Sequence, residues 1–441
     1  MFENIIGQDA IVERLSGDIR GRQLPSAMLF AGPEYSGKLS TALELTRILT
    51  CTGSAEWSCR CRSCGLNREL IHPRSQLLGS RYFVQEILTS GETLKYSTTR
   101  GTAYLYLRSV RKLLRRLDPV LWEGEEQKLS KALESLAATE EALEPISRIA
   151  AGAQDNDPHL AAQIDAAREA AFKTLAAMPA DLVPVATVRR LASWLHGSAD
   201  GPRTVIIENV DQLGDASINA LLKMLEEPPQ ECWFILTTSR RGAVLPTIRS
   251  RVREYRFRER PVPVSSEVIH RVFRGPADYR GSIRDYFLEQ EFPGTGSLRS
   301  HAERFLESAI RSAGTSEVDQ QHGGGDGSVR AAAEARQSAE ARQNERTRNE
   351  SPGGSAAAGA DPLREVVQAL SEVPEREALR HFLQELLKLL GEVLRADDSS
   401  PRAAISHARL ASWRGLVQEH YQRSSRLNMR LDLLLHSLYY R

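Results

Sequence analysis

The chain has almost no charge surplus: 58 Lys and Arg stand against 57 Asp and Glu, a formal net charge of +1 over 441 residues. That balance gives no global bias toward nucleic acid or acidic partners, so any polyanion contact must be local. Long apolar runs are lacking as well. No window reaches the length of a membrane span, and Met1 to Ile5 has neither the charged nor the apolar region of a signal peptide. A cytoplasmic protein without a membrane partner is the expectation. Cysteine is scarce, five in all, and four of them fall between Cys51 and Cys64. Such crowding fits a metal knuckle in a reducing compartment better than a disulfide framework. The fifth, Cys232, stands alone at a predicted strand start and reads as a small buried apolar residue. Large apolar side chains nearly vanish over 313–361, where Gly, Ala, Ser, Gln, Arg and Glu dominate. A segment that buries so little is read as a disordered linker, and its repeated EARQ as compositional.

The densest ordered pattern is Thr204 to Phe257. Val205, Ile206 and Ile207 form an apolar strand pattern that ends in Glu208 and Asn209. Ile218, Leu221, Leu222 and Leu225 then repeat at helical spacing until Pro228 and Pro229, and a second buried-strand pattern runs from Trp233 to Thr238. Strand, helix, strand makes a βαβ unit, and polar residues just past the strand ends are where such sheets hold ligands. Upstream, a helix carrying Ile11, Leu15 and Ile19 precedes the apolar run Ala27 to Ala31, the loop GPEYSGKLS from Gly32, and a helix from Thr41 to Leu49. That context suits a phosphate loop: glycine lets the backbone approach, amides cradle phosphate oxygens, and Lys38 neutralises them. A glycine-rich turn without nucleotide is the plainer alternative. Leu39 stands where a magnesium-holding hydroxyl is expected, and Ser40, one residue later, lies on another helix azimuth.

Cys51, Cys59, Cys61 and Cys64 suit one tetrahedral zinc, with free structural cysteines as the alternative; the Cys59–Cys61 spacing is tighter than usual. From Arg81 to about Leu182 the chain reads as a helical insertion, with faces at Leu107, Val110, Leu114 and Leu117, at Leu129, Leu133, Leu136 and Leu143, and at Leu160, Ile164, Ala167, Ala171 and Leu175. Its basic run Arg108, Arg111, Lys112, Arg115 and Arg116 reads either as a contact for DNA phosphates or as a solvated helix face. Val185 to His196 is again helical. Helical patterning returns after Phe257 to about Ser312 and from Pro362 to Arg441, the latter with Leu383, Leu386 and Leu390 and then Leu427, Leu431, Leu434, Leu435 and Leu438.

FENIIGQDAIVERL, LPSAMLFAGPEYSGK, the cysteine cluster, SINALLKMLEEPP, LPTIRSRV, GSIRD and the final RLNMRLDLLLHSLYY together resemble the AAA+ clamp-loader subunits of bacterial DNA polymerase III, the gamma/tau and delta-prime family. The resemblance covers roughly 1–80, 183–312 and 363–441. It implies an α/β fold: an AAA+ P-loop NTPase parallel sheet with a zinc knuckle and helical insertion over 1–257, a small helical lid over 258–312, the linker over 313–361, and an α-helical collar over 362–441. Gly32, Gly37 and Lys38 then fall on the phosphate loop. Glu208 and Asn209 fall where the family places its magnesium-binding Asp and water-activating Glu. Thr237 or Thr238 corresponds to the first sensor of the γ-phosphate, and Arg284 to the second. Cys51, Cys59, Cys61 and Cys64 fall on the zinc knuckle, one residue short of the usual spacing. Ser250 and Arg251 match a Ser-Arg-Cys motif in which Val252 replaces Cys, and the family's arginine reaches the neighbouring subunit's ATP site as a trans arginine finger.

Leu39, the longer Glu208 and the neutral Asn209 weaken three positions that hydrolysis needs, so the resemblance implies an ATPase of its own that is slow or absent. ATP with magnesium is thereby put in question as a cofactor, while zinc is not. The closest character is delta prime: a non-hydrolysing stator that supplies Arg251 to its neighbour. A gamma/tau-like motor that hydrolyses ATP itself is the alternative, and an AAA+ assembly or DNA-binding protein outside clamp loading is a third. The implied partners are other clamp-loader subunits in a hetero-oligomeric ring, the sliding clamp, and primed DNA through the complex.

Overall fold

In a computed structural model of the chain, residues 1–124, 126–152, 157–179, 183–197, 201–291, 300–310, 375–394 and 407–424 are described. The expected linker and the final helical pattern from Leu427 to Leu438 lie outside them. The chain separates into two compact units, Met1–Glu291 and Phe292–Arg441.

The first unit is built on a five-stranded sheet: β1 (Ala27–Ala31), β2 (Ser75–Gly79), β3 (Arg203–Glu208), β4 (Cys232–Thr238) and β5 (Arg253–Arg256). Their order is β2-β3-β4-β1-β5, and every adjacent pair is parallel. The inner strands β1 and β3 are buried at every residue, which is why they read as unbroken apolar runs. Successive side chains serve opposite faces of the sheet. Val205 and Ile207 join a core with Leu29, Leu221 and Phe234, whereas Ile206 joins Phe30, Leu45 and Ile235 on the other side. The helix Asp215–Glu226 follows β3 and ends before the two prolines. The helix after the glycine loop begins earlier than its apolar pattern, at Lys38, and runs to Leu49.

The insertion carries the helices Val84–Tyr96, Arg100–Leu114, Glu126–Ala142, Glu144–Ala151 and Leu160–Ala177. They enclose a core of their own around Tyr106, Leu107, Val110, Leu143 and Ile164. Its basic run corrects both sequence readings. Arg111, Lys112 and Arg116 are buried, and none of the five cations is exposed. Two of them hold the insertion to the sheet unit, Arg111 by pairing with Glu69 at 3.3 Å and Arg115 by donating to the Ser75 carbonyl, while Lys112 pairs with Glu86 inside the insertion. The helix Val185–His196 leads back to β3, and the helices Val262–Phe273 and Ile283–Glu291 complete the unit.

In the second unit, a helix over 300–310 joins Glu375–Val393 and His407–Ser424. Phe305 meets Phe382 edge-on at 5.5 Å, beside buried Leu383, Leu386 and Leu390.

Candidate functional site

The C-terminal ends of β1, β3 and β4 lie side by side, so the loops that follow them converge. After β1, Gly32 passes so close to the chain after β5 that a Cβ there would collide with the Phe257 carbonyl. Gly37 sits at φ +95°, in the left-handed region that glycine enters without strain, and a Cβ would meet the Arg260 guanidinium. Lys38 donates to the Gly32 carbonyl at 2.7 Å and to that of Pro33. Burial draws its ammonium down to about 8, with Glu34 and Glu208 opposing. Leu39 points into the core and Ser40 is exposed, so neither takes the place of a loop hydroxyl on magnesium. Two further groups brace the loop. Arg260 donates to the Ile6 carbonyl at 3.0 Å and to that of Tyr35, and the Tyr35 hydroxyl donates to Gln85 at 2.8 Å while its ring meets Phe287 edge-on at 5.5 Å.

At the end of β3 the carboxylate of Glu208 lies between two guanidiniums. Arg81 approaches one oxygen at 2.9 Å, and Arg116, 1% exposed, contacts the other while donating to the Gly79 carbonyl at 2.9 Å. Arg81 also pairs with Glu86 at 2.6 Å, which Lys112 contacts from the other side. The result is a buried chain of alternating charge running from the insertion to the sheet end. Burial alone would raise Glu86, but Lys112 and Arg81 outweigh it and hold it at about 2, below its ordinary 4.5. A folded value below the unfolded one means that the stability from this carboxylate is complete above about pH 4.5 and is lost as the pH falls toward 2. Denaturant midpoints should drop across that window, and Glu86→Gln should flatten the drop.

Asn209 adopts φ 50° and ψ 53°, a left-handed conformation that Asn tolerates better than most side-chain-bearing residues. Its side-chain amide donates to the Ser80 carbonyl at 2.8 Å, and its backbone N–H to Thr237 Oγ1 at 3.3 Å. Asn209 therefore joins the ends of β2, β3 and β4 as a turn residue, and an amide cannot accept the proton of an attacking water. Thr238 donates to Asp211 at 2.7 Å. Arg284 opens the helix Ile283–Glu291, where its charge bears on the Tyr35 phenol. Arg251 lies apart from these groups, beyond the short helix Pro246–Arg249. It is 32% exposed and sits at the surface in an ion pair with Glu226, to which it donates at 2.7 Å, while it also donates to the Thr247 carbonyl at 2.8 Å.

The cysteines form a separate centre. Zinc–sulfur bonds of about 2.3 Å put the sulfurs of a tetrahedral site about 3.8 Å apart. Cys51 Sγ is 3.7 Å from both Cys59 and Cys61, and all four sulfurs, Cys64 included, lie within 4.8 Å of one another. Those separations are far from the disulfide bond length and fit a single metal ion. The Cys61 sulfur also accepts from the Cys64 N–H at 3.4 Å, which caps the helix Arg62–Arg68. The sequence reading had not singled out Arg81, Arg260, Tyr35 or Arg47. Arg116 and Lys112 carried a signal, as part of the basic run.

A family profile described as DNA polymerase III, delta subunit, matches residues 147–261. The DNA polymerase III delta-prime subunit of Escherichia coli K12 is 47% identical over 58 residues, 13% of this chain and 17% of that protein. The gamma/tau subunit of Mycobacterium tuberculosis H37Rv is 40% identical over 70 residues, 16% of this chain and 12% of that protein. The chain thus spans about a sixth of the first relative and an eighth of the second. A solved gamma-subunit-related protein of Thermotoga maritima is 16% identical, covering 58% of this chain and 77% of that one with a TM-score of 0.26, too loose a superposition to add to the strand order.

Proposed function

We propose that the chain belongs with the clamp-loader subunits of DNA polymerase III, to which its family profile and relatives point, and that within that family it acts as a delta-prime-like stator that does not hydrolyse ATP. The observation that carries this reading is the position of Glu208. A carboxylate that is to hold magnesium needs lone pairs facing the metal, and here both oxygens face arginines. Leu39 in the core and Asn209 engaged with Ser80 remove the hydroxyl and the base. Loss of a general base alone lowers a rate by about 10² to 10⁴.

Purified protein with ATP and magnesium should show no turnover above background, and Lys38→Ala should change nothing. Robust hydrolysis abolished by Lys38→Ala would overturn the stator reading in favour of a gamma/tau-like motor, which retained Lys38 and Arg284 would serve. The active contribution of the chain is then Arg251, offered to the ATP site of a neighbouring subunit. Its planar, permanently charged guanidinium suits the charge that develops on a transferring phosphoryl group. In a reconstituted ring, Arg251→Ala should lower the neighbour's turnover about 10³-fold or more. Unchanged turnover and clamp loading would remove Arg251 from the mechanism. The ring, the sliding clamp and, through the ring, primed DNA are the partners this reading requires, in the cytoplasm, with zinc in the cysteine knuckle.

A further inference from the structure

The knuckle contains one charged side chain that neither the phosphate loop nor the metal ligands explain. Arg47 lies near the end of the helix Lys38–Leu49 and is 2% exposed. Its Nε and Nη2 grip both oxygens of Glu44, at 3.0 and 2.7 Å, and Nη2 also donates to the Ala55 carbonyl at 2.9 Å. The remaining arm, Nη1, donates to Cys64 Sγ at 3.0 Å. The Trp57 ring lies beneath the guanidinium with its centroid 5.9 Å away.

A buried ion pair adds little stability over well-packed apolar residues, so packing alone does not account for a fully buried Arg–Glu pair at this point. The fourth contact accounts for it. Four thiolates around one divalent cation carry a net charge of −2, and Cys64 is the most deeply buried of the four. An N–H donated to a metal-bound thiolate draws off part of that charge and fixes the direction of the sulfur lone pairs, as outer-shell partners do at other metal sites. Glu44 holds the guanidinium by a two-oxygen grip, so the aim of Nη1 does not depend on a free rotamer.

We propose that Arg47 is a positioning residue of the metal centre: held by Glu44, it hydrogen-bonds the Cys64 thiolate, tightens the site's hold on its metal and shields that sulfur from electrophiles. The inference rests on the zinc reading of the four cysteines and extends it to Arg47 and Glu44. It also ties the knuckle to the phosphate-loop helix, because the side chain that reaches Cys64 belongs to the helix that Lys38 begins.

The test measures zinc affinity of the full chain by competition with a chromophoric chelator, together with the visible spectrum of the cobalt-substituted protein and the rate of Cys64 alkylation. Arg47→Met should weaken zinc binding about 10- to 100-fold, shift the sulfur-to-cobalt charge-transfer band and speed alkylation. Glu44→Gln preserves side-chain volume and frees only the aim of the guanidinium; it should weaken zinc several-fold, and it decides the matter if Arg47→Met does not yield folded protein. Unchanged affinity and an unchanged cobalt band in a folded variant overturn the role of Arg47. A wild-type chain, prepared without chelator, that holds no metal overturns the zinc reading itself, and the inference with it.

Discussion

Glu208→Ala should destabilise the folded chain by about 3–5 kcal/mol, with or without magnesium, because it leaves Arg116 buried and without its counter-charge. The alternative predicts the opposite sign. A carboxylate reserved for a metal is held among other acceptors and costs stability until the metal arrives, so its removal from the metal-free protein is neutral or stabilising. Here Glu208 has Arg116 on one oxygen and Arg81 on the other, and burial draws the Arg116 guanidinium down to about 10 with Glu208 opposing. Equilibrium urea unfolding with and without added magnesium, in buffer free of chelator so that the knuckle keeps its metal, distinguishes the two. The double variant Glu208→Leu with Arg116→Met is the control. Replacing both buried charges by apolar groups of similar size should recover most of the loss, since the penalty lies in the stranded partner. A neutral Glu208→Ala, or one whose effect depends on magnesium, would remove the arginine clamp from the account of the site.

Removing the metal should have an effect of similar or larger size, confined to one region. The stretch from Cys51 to Cys61 offers few apolar side chains to the core, chiefly the partly buried Ala55. Structural zinc binds peptides of this kind with an apparent free energy of about 10–16 kcal/mol, which in such small modules is folding free energy. A strong chelator should therefore release about one zinc per chain and open the knuckle to protease. Trp57 emission should shift red as Arg47 and Arg68 leave its ring. The sheet should persist, because β1, β3 and β4 draw their burial from both layers rather than from the knuckle. Identical proteolysis patterns before and after chelation would mean that the cysteines stand without a metal.

The parts of this fold that were legible share a physical property. β1, β3 and β4 lie inside the sheet, so their sequences are apolar on both faces, and the helix Asp215–Glu226 is closed by two prolines. β2 and β5 form the two edges of the sheet. SQLLG and REYR are short and partly polar because an edge strand has only one neighbour, so neither produces a pattern that separates it from a loop. The site divides in the same way. Glu208 and Asn209 stand at a strand end and could be placed from local sequence. The clamp could not, because Arg116 and Arg81 lie 92 and 127 positions from Glu208. A run of five cations looks the same on paper whether they meet solvent, DNA or buried carboxylates.

The clamp also bears on what this chain can become. Its arginines come from the helical segment between β2 and β3, so on the stator reading the metal position is closed by architecture as well as by the residue types at the position itself. Loosening either arginine alone leaves the other on Glu208, and a hydroxyl placed at position 39 or a carboxylate placed at position 209 leaves the oxygens of Glu208 still turned toward guanidiniums. On the stator reading, no single one of these changes frees Glu208 for a metal. On that reading the helical segment behaves as a ratchet: once lodged against the sheet end, it makes a loss of chemistry there hard to reverse one change at a time.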